Sequence, residues 1–190
     1  MFMRNRFKTR LAVLKGLPVV TTAIVFSFFI NSLAQAENSP NLGKPASPQL
    51  EKRWNLDIFP DGTGLPAGSG TAALGKKVYQ QYCLSCHGVD GTGDSADELA
   101  GAKHGLTDAI PDKTIGTYWP YATTIFDFTR RAMPLNAPGI LTNDQLYAVT
   151  AYLLYLNHLV KENDVINAST LPKVKMPNRN GFINHYQPPH

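Results

Sequence analysis

Cysteine is nearly missing from this chain: there are two in 190 residues, Cys83 and Cys86. A bridge between them would enclose two residues and close little chain entropy, so a disulfide-built scaffold is excluded. Alternating strand patterns are missing as well, which removes the βαβ setting of a thioredoxin-like C-x-x-C pair. Long apolar runs are scarce. The stretch Leu17–Ile30 has 14 residues, short of the ~20 that span a bilayer, and Lys15 blocks its extension toward Leu11.

Residues 1–36 therefore read as a secretory signal rather than a spanning helix. Arg4, Arg6, Lys8, Arg10 and Lys15 form a positive start, Leu17–Ile30 the apolar middle, and Ala34-Gln35-Ala36 the small-x-small cleavage site. The expected location is the periplasm, with membrane attachment only if the segment stays uncleaved. Its loss also removes the positive charge. The chain has 18 basic and 14 acidic side chains; 18 less these five leaves 13 against 14, a formal −1. Nucleic-acid binding, which requires a basic stripe, is excluded on that ground.

What the chain does have is Cys83-Leu84-Ser85-Cys86-His87. C-x-x-C-H is the attachment sequence of a c-type haem. Two thiols add across the haem vinyl groups and the adjacent histidine binds iron. Covalent attachment takes place outside the cytoplasm in bacteria, so motif and export signal agree. The cofactor expected is one covalent haem c with its iron.

The 154 residues after the signal fit one domain with extensions. Residues 37–67 are rich in Pro and Gly and read as an arm. Within it Trp54, Leu56, Ile58 and Phe59 are too apolar to stand free in water, which predicts packing on the domain or a partner. Residues 68–162 form the domain and 163–190 a tail. The spacing predicts a helix over 71–82 with Leu74, Val78 and Tyr79 on one face. A short helix is expected over 97–102, and irregular chain over 104–116. A second long helix spans about 121–132, with Thr124 and Asp127 as a capping-box variant, stopped by Pro134. A third starts at Thr142, where Gln145 completes a capping box, and carries the buried stripe Leu146, Val149, Leu153, Leu156 and Val160. With no strand pair in sight, the fold class is all-α.

Gly75-x-x-Val78-Tyr79, Cys83-x-x-Cys86-His87-Gly88, Gly91-x-Gly93, Met133-Pro134 and Tyr152-Leu153 together resemble the class I cytochromes c, over about residues 68–162. The resemblance implies crossed N- and C-terminal helices around one haem, with Gly75 and Tyr79 against Tyr152. It also implies an electron-transfer protein rather than an enzyme. A narrower resemblance is carried by Ile115–Thr124, by Phe126-Asp127 through Arg130-Arg131-Ala132-Met133-Pro134, and by the tail around Met176-Pro177. These are similar to cytochrome subunits that accept electrons from molybdenum sulfite-oxidase-type enzymes, including the sulfane dehydrogenase of the Sox system of sulfur oxidation. Two-haem members of that group carry a second C-x-x-C-H; this chain has one. The implied donor is such a sulfite-dehydrogenase-like molybdoenzyme, and the implied acceptor a downstream cytochrome or oxidase. A general periplasmic electron shuttle is the alternative, and an open-site haem sensor or catalyst if Met133 does not bind iron. Arm and tail exceed what a minimal cytochrome needs, which predicts a contact-driven complex.

Four side chains compete for the sixth iron position: Met133, Met176, His104 and His158. By the family's order Met133 is the expected ligand, with His87 opposite. Trp119 and one of the pair Arg130 and Arg131, Arg130 first, are expected to serve the haem propionates. No proline stands between His87 and Pro111, so a carbonyl other than the family's usual proline carbonyl must orient the imidazole.

Overall fold

The structure is a computed structural model and describes residues 43–183. The secretory-signal reading and the terminal His185 and His190 lie outside those residues. The described residues fall into two units, divided after Glu51. Of the first, the described part is 43–51. There Ser47 starts helix α1 (Pro48–Trp54), its hydroxyl accepting from the Leu50 N–H at 3.2 Å.

The second unit holds α2 (Ala72–Tyr82), α3 (Leu84–His87), α4 (Ala122–Ala132) and α5 (Asn143–Leu156). Two short strands, β1 (Ser69–Gly70) and β2 (Ile166–Asn167), pair antiparallel and tie the start of the domain to its end. That pair is too short to leave a period-2 signal, so the all-helical expectation missed it. Among the described residues no helix is long and apolar enough to cross a membrane.

Both long-helix starts are set by side-chain caps at the ends of the α2–α5 pair. Thr71 caps α2, accepting from the Leu74 N–H at 3.4 Å. Thr142 and Gln145 form the reciprocal capping box of α5: the Gln145 N–H donates to Thr142 Oγ1 at 3.3 Å and the Thr142 N–H to Gln145 Oε1 at 2.9 Å. Thr142→Ala is expected to lower stability by about 1 kcal/mol, read as a lower denaturant midpoint at unchanged slope. Helix α4 departs from expectation. It starts at Ala122 with Tyr121 at the cap and no side-chain cap bond. Asp127 sits too deep in the helix to cap it and instead takes Arg131 Nε at 2.9 Å.

Helices α2 and α5 cross at Gly75, where an added Cβ would fall 1.8 Å from the Ala148 carbonyl oxygen. Tyr79 and Tyr152 pack beside the crossing with ring centroids 5.3 Å apart. The buried face of α2 is Ala72, Gly75, Val78 and Tyr79; Leu74 points to solvent, because the crossing at Gly75 turns the face away from it. Helix α5 buries more than a stripe. All nine residues from Leu146 to Leu154 are buried, since α2, α4 and both strands pack around it. Its helix ends at Leu156, so Val160 lies beyond it and packs from the following loop.

The predicted helix over 97–102 does not form. Its backbone groups bond elsewhere: the Leu99 and Ala100 N–H groups both donate to the Gly91 carbonyl, and the Leu99 carbonyl accepts the Ile115 N–H. The arm and tail belong largely to the core. Ile58 and Leu65 pack against it, and the Tyr147 hydroxyl donates to the Pro66 carbonyl at 2.8 Å. Leu171 and Met176 are buried outright, so the tail needs no partner to order it. Trp54 and Phe59 do not pack on the domain, at 76% and 54% exposed.

Candidate functional site

The turn from α2 into α3 places three side chains together. Cys83 ends α2, its N–H donating to the Tyr79 carbonyl at 2.8 Å, and its own carbonyl accepts the His87 N–H at 3.0 Å. Cys83, Cys86 and His87 thereby face one cavity. Gly88 closes the turn at φ +73, where a Cβ would meet the Gly93 carbonyl oxygen at 2.4 Å; no other residue fits there. The Tyr79 hydroxyl holds the same turn from the α2 side, donating to the Gly88 carbonyl at 2.8 Å. Burial pushes that hydroxyl up to about 12.

The imidazole is oriented by a backbone group. His87 Nδ1 donates to the Asp97 carbonyl at 2.8 Å, which fixes the tautomer and leaves Nε2 for a metal. This is the carbonyl that the missing proline required. It left no signal in the sequence, because a main-chain oxygen is common to every residue type.

The cavity has a volume of about 920 Å³. Opposite elements supply its walls: Leu99, Ile115 and Trp119 from loops, Ile125 and Phe128 from α4, Val149 and Leu153 from α5. Met133 lines it too. It ends α4 with extended backbone (φ −123°, ψ 146°), its N–H still held by the Thr129 carbonyl, and Pro134 follows. Trp119 and Phe128 meet edge to face at 5.8 Å. Phe128 is about half exposed where it lines the cavity.

The other sixth-position candidates lie elsewhere. Met176 is 3% exposed within the hydrophobic core. His104 stands in solvent 3.4 Å from Asp112, whose carboxyl is held below its usual range chiefly by the Lys103 and His104 N–H groups. His158, at φ +61°, lines a separate smaller cavity beside Asp90 and Lys76. The arginines also lie off the cavity lining. Arg131 binds Asp127 and, at 2.8 Å, Asp57 of the arm, and Arg130 is half-buried at the end of α4 without lining the cavity. Tyr118 and Tyr121 turn to the tail, Tyr118 against Phe182 and Tyr121 under Arg179.

A covalent haem fits these residues. The walls are apolar, two thiols stand one helical turn apart at one edge, and a histidine with an engaged Nδ1 lies beside them. A thioether lines the same cavity from a different element, matching a donor set of imidazole and soft sulfur. Before attachment, burial and then the neighbouring Cys86 push the Cys83 thiol up to about 11.

Comparison with known proteins agrees. The cytochrome c family model matches residues 72–157. In the crystal structure of the sulfane dehydrogenase SoxCD from Paracoccus pantotrophus, a chain is 42% identical, with a TM-score of 0.72. The match covers 76% of this chain and 72% of that one. With a C-x-x-C-H turn opening on an apolar cavity between crossed helices, the chain belongs to the cytochrome c family, as a class I c-type cytochrome whose cofactor is covalently attached haem c.

Proposed function

We propose that this cytochrome is the electron-accepting partner of a sulfur-compound dehydrogenase of the molybdenum sulfite-oxidase type. In this reading the chain is exported by residues 1–36 and passes its electron to a downstream cytochrome or oxidase. Cys83 and Cys86 carry the thioether bonds, and His87 and Met133 take the two axial positions. The observation that carries the site is that Cys83, Cys86, His87 and Met133 line one apolar cavity, while Met176, His104 and His158 do not. The partner reading is supported by the 42% identity to a chain of SoxCD.

When bound, the haem supplies a one-electron Fe(III)/Fe(II) couple. The protein's residues do the rest. The Asp97 carbonyl holds His87 in one tautomer, and the Met133 thioether favours the reduced state. Leu99, Ile115, Trp119, Ile125, Phe128, Val149 and Leu153 exclude water and lower the local dielectric.

The test is stopped-flow reduction of the purified holoprotein by a sulfane or sulfite dehydrogenase and its substrate. Reduction within the enzyme's turnover time is expected. A holoprotein that this enzyme never reduces, yet dithionite does, would replace the reading with a general periplasmic shuttle.

A further inference from the structure

We propose that Asn157 is a positioning residue for the iron-binding histidine, acting through the segment 97–99; this rests on the reading of His87 as a ligand. Asn157 follows α5, and its amide is fully employed. Nδ2 donates to the Leu153 carbonyl at 2.8 Å and to the Leu99 carbonyl at 3.0 Å, while Oδ1 accepts the Gly116 N–H at 3.0 Å. One half-buried side chain thus joins the end of α5, the segment that orients His87, and the loop 115–119. Each of the three contributes to the haem cavity, through Leu153, Leu99, and Ile115 with Trp119.

The link to His87 is short. The Asp97 carbonyl, which accepts His87 Nδ1 at 2.8 Å, belongs to an irregular segment with no helix or strand of its own to hold it. It is held instead from both sides. On one, the Ala96 N–H donates to the Cys86 carbonyl at 2.9 Å; on the other, the Leu99 N–H donates to Gly91 at 2.7 Å. The Leu99 carbonyl then takes two donors, Asn157 Nδ2 and the Ile115 N–H. Cutting the Asn157 bond frees Leu99 on the side that faces α5 and lets the Asp97 carbonyl move away from the imidazole.

Asparagine suits this position because it presents donors to two carbonyls and an acceptor to one N–H. Aspartate keeps the size but sets lone pairs against both carbonyls. Gly116 is matched to it, since a Cβ there would lie 2.6 Å from Asn157 Oδ1.

The experiment follows solvent exchange of the His87 Nδ1 proton by NMR in the reduced holoprotein. Asn157→Asp is expected to exchange about tenfold faster, the factor that the net contribution of one hydrogen bond corresponds to. Asn178→Ala is the control. It removes the 2.7 Å bond from Asn178 Nδ2 to the Tyr118 carbonyl, loosening the same loop without touching Leu99, and should leave the exchange rate unchanged. Unchanged exchange in Asn157→Asp, or equal acceleration in both variants, overturns the proposal. If Asn157→Asp yields no holoprotein, Asn157→Ser is judged by the same criterion, because its single hydroxyl cannot serve both carbonyls. A wild-type His87 ring without haem-induced shifts would sink the ligand reading itself, an outcome distinct from slow exchange on a shifted ring.

Discussion

Met133→Ala is expected to abolish the weak red-region charge-transfer band of the oxidised holoprotein and to lower its reduction potential. The drop should be on the order of a tenth or more of the ~0.8 V range over which axial ligands tune haem. Loss of the thioether removes a soft donor that favours Fe(II), so the potential falls rather than rises. Folding should be little affected, because Met133 lines the cavity at the end of α4 and its backbone bond to Thr129 survives the substitution. Met176→Ala is the mirror experiment. Met176 is buried in the core, so its truncation should cost about 2–5 kcal/mol while leaving band and potential in place. A band that survives in the first variant and vanishes in the second would move the ligand to the tail.

The two methionines also show where sequence reasoning reached and where it stopped. Both precede proline, and local sequence cannot tell a ligand from a core residue; position in the family's order favoured Met133. The haem turn was legible because its chemistry needs particular side chains at fixed spacing. The α5 cap was legible for the same reason. The Asp97 carbonyl was not, since any residue supplies a carbonyl and only the fold decides which one meets His87. The missing helix over 97–102 failed through the same cause: local propensity lost to long-range bonds from Gly91, Ile115 and Asn157. Helical spacing puts Leu74 on one face with Val78 and Tyr79, but it marks a face and not its neighbour. Val78 and Tyr79 are buried, and Leu74 lies in solvent. The tail lies beyond the last helix in sequence, yet its Leu171 and Met176 complete the core.

Gly75→Ala is expected to be strongly destabilising. The new Cβ would sit 1.8 Å from the Ala148 carbonyl oxygen, 2.5 Å from its carbon and 2.8 Å from Tyr152 Cβ. Two of these are backbone atoms in the buried middle of α5, so no rotamer change relieves the clash; one helix must move away from the other. That separation would also pull apart the Tyr79–Tyr152 pair and loosen the Tyr79 bond to Gly88 in the haem turn. Overpacking of this kind costs about 3 kcal/mol or more, a large part of the ~5–15 kcal/mol that holds a domain together. Ala148→Gly should not rescue it, because the collision is with the carbonyl and not with the alanine methyl. Gly105→Ala provides the contrast: nothing lies within 4 Å of its Cβ, and the change should be neutral or stabilise by up to ~1 kcal/mol. Denaturant melts of the three variants as holoproteins decide the matter. Equal stability of Gly75→Ala and wild type would mean that the two helices do not meet at Gly75.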